Sequence, residues 1–179
     1  MQVKYTRLKL RALLVIILIG VFSIIGCSQD NKEQSEITLG EKVEKLLKYK
    51  GSNIGDNSAV GNISNYLLAS DNLQGFELKT GEEPYEITLK YKGFEESQII
   101  ISTNETITLP FSDVMIKNSM VLFSLIKNVD IINLELDDGS TITYKKSELV
   151  DAYGDKYGKK LEKIIENKTS LESFLTGEV

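Results

Sequence analysis

Between residues 76 and 145 the chain keeps returning to a period of two, and that alternation constrains its fold more than any other feature. In YEITLKY (85–91), Tyr85, Ile87, Leu89 and Tyr91 alternate with Glu86, Thr88 and Lys90, the pattern of a strand with one buried and one wet face. FELKT (76–80) precedes it across Gly81-Glu82-Glu83-Pro84, so the two read as a hairpin. VDIINLEL (129–136) and TITYK (141–145) flank Asp137-Asp138-Gly139 and read as a second hairpin, with Asp-Gly the local turn signal. QIIIS (98–102) and TITLP (106–110) read as two further strands, the last limited by Pro110 to an edge or to its own end.

Helical spacing surrounds these strands. Leu39, Val43, Leu46 and Leu47 mark a first helix, closed by Gly51. Gly55-Asp56-Asn57-Ser58 supplies a turn and a cap, and Val60, Ile63 and Leu67 then predict a helix to about Leu68. Ser70-Asp71-Asn72 and Gly75 read as a loop. The best helix covers 114–127, capped by Asp113, with Met115, Leu122, Leu125 and Ile126 on or near one face. Ser147 opens a short helix broken at Gly154, and 161–167 and 171–175 read as helical segments. The expected fold class is α+β: a mostly antiparallel sheet packed by several helices, as a single domain over residues 38–179.

The chain ahead of that domain reads as an address. Lys4, Arg7, Lys9 and Arg11 precede an apolar run over 12–25, the build of a secretory signal peptide. The run is shorter than the ~20 residues that span a bilayer comfortably. It ends in Ile24-Ile25-Gly26-Cys27, which resembles the bacterial lipobox. Residues 1–26 are then a lipoprotein signal peptide and Cys27 the lipid-attachment site, with 27–37 a polar tether. A diacylglycerol on the thiol plus an acyl chain on the new amino terminus makes such an anchor durable. The expected location is the outer face of the cell membrane.

Composition narrows the chemistry. There are 26 acidic and 21 basic residues, and four of the basic ones lie in the leader, so phosphate backbones would be repelled and no nucleic-acid partner is expected. Histidine is absent and cysteine occurs once. The usual proton shuttle near neutral pH is missing, a zinc site of the His and Cys kind cannot be assembled, and no internal disulfide is possible. Asp137-Asp138 lacks the alternating oxygen ligands of a calcium loop. No metal and no cofactor is expected.

Ser124-Leu125-Ile126-Lys127, Ser70-Asp71-Asn72 and Lys79-Thr80-Gly81 match the three signatures of serine β-lactamases. Their chain order is wrong, Ser-x-x-Lys reads as deep inside a helix, and the chain is too short for that fold. Paired acids for glycoside hydrolysis remain a rival, although sequence gives no reason to choose a pair.

Tyr49-Lys50-Gly51-Ser52-Asn53-Ile54-Gly55-Asp56-Asn57-Ser58-Ala59-Val60-Gly61-Asn62 resembles the opening of a family known as domain of unknown function 4825. Lys79-Thr80 with Glu83-Pro84-Tyr85, and Leu122-Phe123-Ser124-Leu125-Ile126-Lys127-Asn128-Val129-Asp130, fit the same pattern, although Gly81 breaks the polar run more usual before Glu-Pro-Tyr. The resemblance spans about residues 38–146. It implies lipoproteins of Gram-positive bacteria, and extracellular parts of proteins similar to β-lactam-sensor peptidases; it supplies no catalytic residues.

Gly51, Gly55, Asp56 and Asn57 form the candidate binding loop, with positive φ expected at both glycines and a cap at Asp56. The expected function is a non-enzymatic extracytoplasmic module that binds or senses a protein, peptide or envelope component. The rival is an envelope hydrolase using paired carboxylates. A solute-binding lipoprotein is a third class, for which the chain is short to form two closing lobes.

Overall fold

The computed structural model describes residues 37–157 and 160–177; Cys27 and the leader lie outside them. Helix α1 (Leu39–Leu47) begins with a capping box. The Thr38 amide donates to Glu41 Oε2 at 2.9 Å, and the Glu41 amide donates back to Thr38 Oγ1 at 3.4 Å. Leu39, Val43 and Leu46 bury one face. Helix α2 (Asn57–Tyr66) follows, then a 3-10 turn (Ser70–Asn72) and the strands β1 (Leu73–Lys79) and β2 (Glu86–Tyr91). Next come β3 (Glu96–Ser102), β4 (Glu105–Pro110), α3 (Phe111–Leu125), β5 (Ile131–Leu136) and β6 (Thr141–Lys145). The described chain closes with α4 (Lys146–Tyr157), a 3-10 turn (Leu161–Lys163) and α5 (Lys168–Thr176).

The fold is α+β, as expected, with strands in two sheets. The main sheet has the order β1-β2-β5-β6, and β3-β4 form a separate two-stranded sheet. Both predicted hairpins are present, and the pairs β1/β2, β3/β4 and β5/β6 are antiparallel. The pairing of β2 with β5 is parallel, in register from Glu86↔Ile131 to Tyr91↔Leu136. Parallel neighbours need a crossover, and here β3, β4 and α3 supply it.

Ile87, Leu89 and Tyr91 of β2 and Ile132 and Leu134 of β5 point from one face of the main sheet into the core. Helix α3 is buried around most of its circumference, with Val114, Met115, Val121, Leu122 and Leu125 inaccessible, as befits a central helix. Its one buried amide, Asn118, is fully used. Oδ1 accepts from the Leu68 amide at 3.0 Å, and Nδ2 donates to the Leu68 carbonyl at 2.9 Å and to Tyr91 Oη at 3.3 Å. Burial pushes the Tyr91 phenol above its ordinary range, so it stays neutral.

The C-terminal segment closes the core over α1. Leu161, Ile164 and Ile165 are buried, as are Leu171, Phe174 and Leu175 of α5. Asn167 caps α5 through the Ser170 amide at 2.9 Å. Lys168 Nζ bridges to Glu44 Oε1 of α1 at 2.7 Å and lies 3.8 Å from Glu172 Oε1.

Several local expectations are corrected. Helix α3 starts at Phe111 with Pro110 at its cap position, so Asp113 lies in the first turn and is not the cap. It stops at Leu125, which places Ser124 in the last turn and Lys127 beyond it. Gly75 lies within β1, not in the preceding loop. Helix α4 runs through Gly154, the cost of one helical glycine being only about 1 kcal/mol. Residues 161–167 form a 3-10 turn and a cap, not an α-helix.

Candidate functional site

The loop singled out from the sequence is a structural joint. Gly51 has φ +84°, the left-handed conformation expected there, and its amide donates to the Leu125 carbonyl at 2.9 Å. The Lys127 amide donates to the Ser52 carbonyl at 3.0 Å, and the Ile54 amide to Asn128 Oδ1 at 2.9 Å. Residues 51–54 are thus zipped to the end of α3, and Ile54 is buried beneath. Asp56 caps α2, as expected, with Oδ1 accepting from the Ala59 amide at 2.9 Å. Gly55 corrects the expectation. It is not among the positive-φ residues, and a Cβ there meets nothing within 4 Å. Asn57 is exposed in the first turn of α2.

The third stretch carrying the resemblance reaches the same region from the sheet. Asp130 Oδ2 accepts from the Tyr85 amide at 2.8 Å, while the Asp130 and Ile131 amides both donate to the Tyr85 carbonyl, at 2.9 and 3.1 Å. The three motif segments therefore meet around the α3–β5 connection, joined by backbone bonds and by the side chains of Asn128 and Asp130. This gives Gly51, Asp56, Asn128 and Asp130 structural roles.

Substitutions here separate backbone from ligand roles. Gly51→Val is expected to cost about 1–3 kcal/mol, from the left-handed backbone and a Cβ 3.0 Å from Lys127 Cε. Asp56→Ala is expected to cost about 0.5–2 kcal/mol as a lost cap. Gly55→Val is expected to lie within about ±0.5 kcal/mol, as for an unconstrained surface position. Urea melts of the soluble domain measure all three.

The β-lactamase signatures do not form one site. Ser-Asp-Asn and Lys-Thr-Gly sit at opposite ends of β1, about 20 Å apart by strand rise. The Ser124 hydroxyl donates to the Met120 carbonyl at 2.7 Å.

A larger group of polar side chains comes together on the other face of the main sheet, which is exposed or half-exposed. Pairing registers set out its rows: Lys79, Glu86, Ile131 and Lys145, then Glu77, Thr88, Asn133 and Thr143, then Lys90, Glu135 and Thr141. One hydrogen-bonded chain crosses all four strands. Lys79 Nζ donates to Glu86 Oε1 at 2.7 Å, Asn133 Nδ2 donates to Glu86 Oε2 at 3.0 Å, and Thr143 Oγ1 donates to Asn133 Oδ1 at 2.8 Å. Lys90 pairs with Glu77 beside it. Alternation in β2 places Glu86, Thr88 and Lys90 on this face; Asn133 and Thr143 join them through non-local register.

At one end of this face, Glu83, Pro84, Asp130, Ile131 and Val150 line a shallow cleft of about 900 Å³, with Lys145, Lys146 and Ser147 at the start of α4. Burial pulls the Lys146 ammonium below its ordinary value, with Asp130 opposing, and Nζ donates to the Lys127 carbonyl at 3.1 Å.

The hydrogen bond from Lys79, helped by that from Asn133, holds Glu86 below its ordinary value of 4.5, and Glu86 raises Lys79 in return. A depressed carboxylate contributes stability above 4.5 that is lost as pH falls through its folded value. The raised lysine contributes below 10.5 and loses its share as pH rises through its folded value. Urea melts are therefore expected to show stability falling below about pH 4.5, with a shallower fall in Glu86→Gln. Identical acid slopes for the two proteins would contradict this coupling.

Among the described residues no cluster of three or more acids or cysteines is arranged to hold a metal. Fold and surface together define a small α+β domain whose polar groups lie on an open sheet face. A family model described as Domain of unknown function (DUF4825) matches residues 46–147, more than half of the chain, and the chain belongs to that family. No curated protein and no solved structure matches it.

Proposed function

We propose that this chain is a bacterial lipoprotein, held at the outer face of the membrane through Cys27, whose domain is a non-enzymatic binding or sensory module. The open face of the four-stranded sheet carries this reading. It holds three lysines, Lys79, Lys90 and Lys145, interleaved with three glutamates, Glu77, Glu86 and Glu135, and hydrogen bonds across the strands pre-order Lys79 with Glu86 and Lys90 with Glu77. Mixed charge on a rigid platform suits another protein's polar surface. A phosphate backbone would need a positive stripe, and a sugar stack would need aromatic rings that this face does not carry.

Among the described residues, the carboxylates whose titration moves all move downward. Glu44, Glu86 and Glu166 are drawn down by hydrogen bonds from Lys168, Lys79 and Lys163, and Asp138 by those from Ser140. A proton-donating acid needs the opposite shift.

Two experiments test the two halves of the proposal. Cys27→Ser is expected to release the protein from the membrane fraction or leave an uncleaved precursor. Mature-sized protein retained in the membrane would sink the anchor. A photocrosslinking residue at Glu135 in intact cells is expected to give a discrete adduct that the same residue at Asn57 does not. An adduct from Asn57 alone would move the binding surface to the α2 loop.

A further inference from the structure

We draw no further inference here: the strongest candidate, the shallow cleft between the Glu83–Pro84 turn and the first turn of α4, is lined by Asp130, Lys145 and Lys146, which already bond within the chain, and nothing in the structure shows what covers it.

Discussion

A fragment restricted to the family-matched residues 46–147 is expected not to fold, whereas residues 37–177 melt cooperatively. The shorter fragment lacks Leu39 and Val43 of α1, the buried Leu161, Ile164 and Ile165, and all of α5 with Leu171, Phe174 and Leu175. Fully burying one such side chain contributes about 1.5–3 kcal/mol, against a total stability of about 5–15 kcal/mol for a domain. Losing so many exceeds that margin. Their absence would also uncover neighbours on α3 and leave Lys50, which donates to the Ile165 carbonyl at 3.1 Å, without that acceptor. Circular dichroism and thermal melts of the two fragments decide the matter. A cooperative melt of 46–147 near that of the longer protein would show that the flanking helices are an accessory.

Asn118→Leu is expected to cost about 2–4 kcal/mol, the largest effect of any single substitution considered. The side chain is inaccessible, and its amide satisfies both backbone groups of Leu68, where the chain turns from α2 toward β1. Leucine fits the volume but leaves a buried N–H and a buried C=O unpaired, each costing about 1–3 kcal/mol, partly offset by the added apolar burial. The left-handed Ala69, φ 53°, follows directly, so the turn has no easy way to relax toward water. Tyr91→Phe removes only the 3.3 Å contact from Asn118 and is expected to cost about 0.5–1.5 kcal/mol. Equal losses for the two variants would assign the effect to the tyrosine hydroxyl instead of the Leu68 backbone.

Sequence reveals local order here because local order has a period. The alternation in β2, the Asp-Gly turn before β6 and the spacing of Leu39, Val43 and Leu46 each follow from one element burying one face. The parallel union of β2 with β5 has no local signature, since a hairpin and a long helix separate the partners. Its clamp, Asp130 against the Tyr85 backbone, reads in sequence as one more residue of the 129–136 strand, whereas β5 starts at Ile131. Asp113 is a good capping residue in type, yet α3 starts at Phe111, directly after Pro110 has ended β4 with an extended backbone. Gly55 departs from the expectation for a related reason. Its neighbours mark a turn, but of the two glycines only Gly51 has the left-handed geometry. On the candidate site, alternation placed Glu86 and Thr88 outward, while Asn133 and Thr143 reach them only through register between strands far apart in sequence.

Thr88→Arg in the intact-cell crosslinking experiment tests the proposed binding face most directly. Thr88 is half-buried at the centre of that face, between Glu77 of β1 and Asn133 of β5. An arginine there is expected to leave the melting temperature within a few degrees, because it points away from the core. The same change puts bulk and charge where a partner would sit, so loss of the Glu135 adduct with folding intact is the predicted result. A Thr88→Arg protein that keeps the adduct at wild-type yield would contradict the account, placing recognition elsewhere on the domain.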